Sequence, residues 1–220
     1  MWREAVPAFE RNNLDFDCHL PNKSQDLRRG LSLALRPCRT VRDAISGFLD
    51  QLTAAAPGQY CYRPEEFHVT MLSIIPGSVS WRERFQHLPA YQTLIDGVMK
   101  NHRAFSIAFQ GVTASRGGVM IQGFPSDDTL ARIRNELREA MQRNRFGEQL
   151  DVRYKINTAH VTVMRFCNPD LNGKNLLTIL QANRSKEFGE TRVDKFELIL
   201  CDWYASASTA RILQEYKLAG

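Results

Sequence analysis

The sequence predicts an α+β fold with largely antiparallel strand pairing. Three observations carry this. Short β-branched, apolar runs recur along the chain and alternate with stretches of helical spacing. Two of those runs, residues 105–114 and 119–124, are separated only by Ser115-Arg116-Gly117-Gly118, a hairpin signal. The tetrapeptides His68-Val69-Thr70-Met71 and His160-Val161-Thr162-Val163 fall late in two such runs, one in each half of the chain.

In order, residues 1–29 are polar and irregular, with a short helix expected over 3–11. They are treated as an N-terminal extension packed on a main domain spanning 30–220. Leu31-Ser32-Leu33-Ala34-Leu35-Arg36 alternates as a strand does, and Pro37 stops it. Thr40 is the expected N-cap of a helix whose apolar face is Val41, Ile45, Phe48, Leu49 and Leu52, ended by Pro57-Gly58. The first His-Val-Thr strand covers 67–75 and is expected to end at Pro76-Gly77. A helical stretch within 80–100 presents Leu94, Ile95 and Val98.

The hairpin follows, and then the strongest helix of the chain, 128–144. Its expected apolar face is Leu130, Ile133, Leu137, Ala140 and Met141, with Gly147 just past its end. The second His-Val-Thr strand covers 156–166, and Asn168-Pro169-Asp170 breaks the chain. A short helix at 174–183 leads to strands at 196–203 and 211–217. The order is strand-helix-strand-helix, a hairpin, helix-strand-helix and a closing hairpin.

The chain has 220 residues, 43% hydrophobic and 24% charged, which suits one globular domain or two small halves sharing a core. A net charge of +5 inclines it mildly toward anionic partners. The start lacks a signal-peptide core, and no run approaches the roughly 20 apolar residues of a membrane span. The five cysteines are scattered without a C-x-x-C pair, which points to reduced thiols and a cytoplasmic setting. No membrane partner is expected, and a monomer is.

Side chains alternate along a strand, so His68 and Thr70 share one face, as do His160 and Thr162. Displacing an oxygen from a phosphodiester needs a base for the attacking oxygen and an acid for the departing one, on opposite sides of phosphorus. Two histidines facing each other from separate strands meet that need near neutral pH. The threonine hydroxyls can donate to the nonbridging oxygens as charge builds there. This chemistry requires no metal and no cofactor. His19, His87 and His102 lack the context and receive no role.

Paired H-x-T motifs of this spacing, flanked by hydrophobic residues, resemble those of the 2H (two-histidine) phosphoesterase superfamily. The likeness is to its LigT-like branch of RNA 2′,3′-cyclic phosphodiesterases, also called 2′-5′ RNA ligases. It extends to Leu31-Ser32-Leu33-Ala34-Leu35, to Pro64-Glu65-Glu66-Phe67, to the hairpin and its following helix, and to Phe196-Glu197-Leu198-Ile199-Leu200. The resemblance implies two pseudo-symmetric lobes of mostly antiparallel strands, with outer helices, each giving one motif to a central cleft. It implies His68 as proton donor to the leaving oxygen and His160 as acceptor from water, a polarity the residues alone leave open. It also implies a phosphate contact for Arg165, which completes H-x-T-x-x-R and whose guanidinium fork suits two anionic oxygens.

Further substrate-binding candidates are Tyr62, in an aromatic group with Tyr60 and Phe67 that either stacks on a base or joins the core, and Arg153, beside Tyr154 and Lys155. Arg116, at the hairpin tip, reads as surface. The expected substrate is the phosphodiester of an RNA end, nucleotide or oligonucleotide. Alternatives are 2′-5′ oligoadenylates, cyclic mono- or dinucleotides, and a noncatalytic RNA- or nucleotide-binding module. A metal hydrolase is disfavoured by the absence of H-E-x-x-H.

Overall fold

The computed structural model describes residues 1–151 and 155–219. Its centre is one antiparallel sheet built from β1 (Arg29–Leu35), β2 (Tyr60–Cys61), β3 (Val69–Ser78), β4 (Phe105–Ser115), β5 (Gly118–Pro125), β6 (Ala159–Arg165), β7 (Glu187–Val193), β8 (Lys195–Asp202) and β9 (Arg211–Lys217). The strand order is β7-β4-β5-β6-β3-β1-β8-β9, with the two-residue β2 pairing against β6. The order divides into two four-stranded lobes, and the motif strands β3 and β6 meet at the seam.

Among the described residues, that seam is one ladder pair, Val69 with Val161. The neighbouring pairings β1 with β3 and β5 with β6 run over six register positions each. The direct β3–β6 contact is therefore short, and β2, with the Tyr62 N–H donating to the Val163 carbonyl at 3.0 Å, continues the pairing along β6.

The helices are α1 (Trp2–Glu10), α2 (Arg39–Ala55), α3 (Arg82–Phe85), α4 (Leu88–Met99), α5 (Thr129–Arg143) and α6 (Gly173–Ala182). The apolar stripe of α2 is the expected one, with Val41, Ile45, Phe48, Leu49 and Leu52 all buried. Two helices cross between lobes. α2 follows β1 but packs on β7, whereas α5 follows the β4–β5 hairpin but packs beneath β3. Phe48, Phe67, Phe109, Phe166 and Phe196 are each buried within one continuous core.

Strand alternation separates core from cleft. On β1, Leu31, Leu33 and Leu35 enter the core, while Gly30, Ser32 and Ala34 face a cavity on the opposite side. Burying each of those leucines contributes about 1.5–3 kcal/mol relative to exposure.

Several expectations need correction. β3 continues through Pro76 and Gly77 to Ser78. The missing proline N–H is tolerated because the ladder bulges there, between the Arg29–Ser78 and Leu31–Ile75 pairs. β7 escaped the sequence reading because Gly189, at φ 105°, shifts its alternation, so that Phe188, Thr191 and Val193 point inward. Its charges suit an edge strand. β6 begins at Ala159 rather than at 156. Residues 1–29 contribute directly to the core: Phe9 is fully buried and meets Phe166 edge-to-face at 5.8 Å. That packing needs a glycine at 173, because a Cβ there would lie 2.6 Å from the Phe9 carbonyl oxygen. Among the described residues no helix is long and apolar enough to cross a membrane.

Candidate active site

The single seam pair organises the site. With Val69 opposite Val161 in an antiparallel register, His68 falls beside Thr162 and Thr70 beside His160. All four side chains line one cavity of about 210 Å³, together with Tyr62 and Arg165. The cavity floor is paved by small side chains of one lobe, Gly30, Ser32, Ala34, Ser73, Gly77 and Cys201, and among the described residues none from β4 or β5 lines it. The cleft is one-sided, extending over the lobe that carries His68.

His68 sits just before β3, after a 3₁₀ turn over Pro64–Glu66. The buried Glu66 carboxylate pins this turn by accepting from the Arg63 N–H at 2.9 Å and the Ala207 N–H at 3.0 Å. The turn aims the Glu66 carbonyl at His68 Nδ1, 2.8 Å away. A carbonyl only accepts, so Nδ1 carries the hydrogen and Nε2 is left for chemistry. Burial lowers the His68 pKa, and Arg36 and Arg165 add to that, while the bond to the Glu66 carbonyl opposes it.

His160 has a different setting. Its Nδ1 lies 3.3 Å from the Thr158 hydroxyl, a neutral partner that does little for an imidazolium. Its pKa falls to about 4, chiefly through burial and then through the positive charge of Arg134, with His68 and Arg165 contributing. His160 is thus neutral above about pH 4.

Arg165 ends β6, and its Nε donates to the Tyr62 hydroxyl at 2.7 Å. Burial pushes the Tyr62 hydroxyl up to about 12, so it stays protonated and holds the guanidinium by accepting. The Tyr62 ring is 4% exposed and offers no face on which a base could stack. This corrects the stacking reading: Tyr62 orients Arg165. Phe67 is wholly core, and Arg116 is a surface residue paired with Asp15 at 2.9 Å. The candidate Arg153 lies outside the described residues.

Two arginines escaped the sequence reading. Arg134, 2% exposed, lies on α5 beneath the seam, and one turn further along is the equally inward-facing Arg138. Residues 130, 134, 137, 138 and 141 share one helical face, so the signal was an arginine within an apolar stripe. Arg138 donates to Asp151 at 2.6 Å and to the Ile156 carbonyl at 2.9 Å, and both of those residues line the cavity. Among the described residues no three His, Cys, Asp or Glu side chains cluster as metal ligands would.

The family model of the 2′-5′ RNA ligase superfamily matches residues 41–202. No curated protein sequence matches the chain. Among solved structures, TT0787 of Thermus thermophilus superposes with a TM-score of 0.63 at 18% identity, covering 87% of this chain and 98% of that one. LigT of Escherichia coli, complexed with 3′-AMP, gives 0.58 at 15% identity, covering 88% and 99%. A further protein described as a phosphoesterase gives 0.60 at 15%, with the same coverage. At these identities the likenesses establish a shared fold. The family match spans most of the sequence and both H-x-T motifs, and on it the chain belongs to the 2′-5′ RNA ligase superfamily, the two-histidine phosphoesterases.

Proposed function

We propose that this protein is a metal-independent phosphodiesterase that opens 2′,3′-cyclic phosphates at RNA ends or on nucleotides, using His68 and His160 as acid and base. The carrying observation is the Val69–Val161 pair, which delivers both H-x-T motifs to one cavity. LigT, similar in fold, has been crystallised with 3′-AMP, ATP and phosphate, which supports a nucleotide phosphodiester as ligand.

Water attacks phosphorus while His160 Nε2 takes its proton. The bond from phosphorus to one ribose oxygen breaks, and His68 Nε2 protonates that oxygen, leaving a phosphomonoester beside a free hydroxyl. Thr70 and Thr162 donate to the nonbridging oxygens, and Arg165 offers its Nη groups to the phosphate.

Two observations support this polarity. The departing oxygen stays on the ribose, so the acid must stand on the nucleoside side of phosphorus. Most of the described residues that line the cavity belong to the lobe that carries His68, which favours that side for the nucleoside. Hydrogen bonding to the Glu66 carbonyl also favours a charged His68, partly opposing the burial that lowers its pKa, whereas His160 has no such carbonyl partner among the described residues.

The test is a substrate panel of cyclic-phosphate RNA ends, 2′-5′ oligoadenylate, cyclic mononucleotides and cyclic dinucleotides, assayed in excess chelator. Turnover of the cyclic-phosphate ends is expected. Turnover of another member alone would move the substrate within this chemistry. Binding with no turnover of any member would make the protein a noncatalytic module.

A further inference from the structure

We infer that Arg134 is a positioning residue: its buried guanidinium clamps the two motif strands together and so fixes where His160 stands relative to His68. Its Nε donates to the Met71 carbonyl at 3.0 Å, and its Nη2 donates to the Thr70 carbonyl at 2.8 Å and the Thr158 carbonyl at 3.1 Å. Thr70 and Met71 lie on β3, while Thr158 immediately precedes β6. Among the described residues the ladder between β3 and β6 is the single pair Val69–Val161, and these three carbonyls lie just to one side of it. Arg134 adds three hydrogen bonds there from below.

The contact reaches the chemistry in one step. Thr158 offers its carbonyl to Arg134 and its hydroxyl to His160 Nδ1 at 3.3 Å, so moving the clamp moves the imidazole's only hydrogen-bond partner among the described residues. Arg138 extends the grip along the approach to β6 through Asp151 and the Ile156 carbonyl.

Burying a guanidinium whose hydrogen bonds among the described residues all go to carbonyls is costly, and the charge of Asp151 offsets its desolvation only in part. Burial draws the Arg134 pKa down to about 10, still charged at neutral pH. An apolar side chain would fill this position more cheaply but could not bridge three carbonyls. A lysine would keep the charge without the planar fork that spans two strands. The charge also faces His160, in company with His68 and Arg165, and Asp151 lines the same cavity.

The inference rests on the two-histidine reading for its catalytic consequence, but its test is separable. The titration of His160 in full-length protein, followed by NMR of labelled histidine, needs no turnover. Wild type, Arg134→Met and Arg134→Lys are compared by that titration, by kcat and KM on a cyclic-phosphate RNA end, and by melting. In Arg134→Met the His160 midpoint is expected to rise by about one pH unit, and kcat to fall about 10–100-fold with KM nearly unchanged. Arg134→Lys is expected to keep the midpoint yet still lose kcat, because it holds the charge and not the grip.

A folded Arg134→Met with wild-type kcat and midpoint would overturn the inference. So would a loss of stability with kcat per folded molecule unaltered. If Arg134→Met does not fold, Arg134→Lys decides, and wild-type kcat there would overturn it. A wild type that turns over no substrate contradicts the proposed function instead; the clamp is then tested by the His160 ring resonances of Arg134→Lys, which are expected to move from their wild-type positions, and unmoved resonances would overturn it.

Discussion

Val69 lies opposite Val161 across the seam between the two lobes, and each follows its histidine directly. That relationship makes the two H-x-T copies one site: an antiparallel pair centred on the valines sets each histidine against the other motif's threonine. Both valines are essentially fully buried, so the central residue of each motif holds the seam while its neighbours face the cavity.

The pH dependence follows from the two imidazoles. His160 must be neutral, which holds above about 4. His68 must be protonated, which holds below a pKa lowered from 6.5. The kcat/KM profile is therefore expected to be a bell with its optimum below 6.5. The bound anionic diester favours both imidazolium forms, so the kcat profile should sit at higher pH. Rate profiles at saturating and limiting substrate check this, and a kcat/KM optimum above 8 would contradict it. The same shift destabilises the fold in acid. Between 6.5 and about 4 the unfolded state binds the proton that folded His160 refuses, so melting temperature should fall across that window.

The assigned polarity predicts unequal rescue. A phosphodiester with a p-nitrophenolate leaving group needs no proton on departure. His68→Ala should recover most of its lost rate on that substrate, while His160→Ala should stay impaired. Single-turnover rates on activated and unactivated diesters measure this, and the reverse pattern would exchange the two roles.

Arg165 and Tyr62 should separate by magnitude. Arg165→Ala removes charge-assisted hydrogen bonds to the phosphate and is expected to raise KM about 10–100-fold. Tyr62→Phe removes only the hydroxyl that orients the guanidinium, so a few-fold rise is expected. Steady-state kinetics resolve the two, and equal effects would show that orientation carries the whole contribution.

Much of the cleft was legible in the sequence, because strand alternation alone puts His68 with Thr70 and His160 with Thr162. The helix stripe from Val41 to Leu52 was equally clear, since its buried positions follow the 3.6-residue period. Other features depend on contacts between distant parts of the chain. Arg134 lies within the apolar stripe of α5, and its partners are seen only once α5 crosses beneath the other lobe, where it meets three backbone carbonyls. Tyr62 reads as either a stacking ring or a core residue until its burial and its bond to Arg165 are seen. β7 is hidden by a bulge glycine that breaks the alternation on which strand reading depends.

In the N-terminal segment, Phe9 is buried against Phe166 next to the second motif strand. Phe9→Ala is expected to cost about 3–5 kcal/mol of stability, as large-to-small changes at packed aromatic sites do. Urea unfolding checks this, and a loss under about 1 kcal/mol would make the segment peripheral to the fold.

The two-histidine mechanism is tested most directly by turnover of an RNA oligonucleotide ending in a 2′,3′-cyclic phosphate, in excess chelator, by wild type, His68→Ala and His160→Ala. The account predicts metal-free opening by wild type and a loss on the order of 10²–10⁴-fold in each variant, both remaining folded. Full turnover by either folded variant, or wild-type activity that chelation abolishes, would contradict it.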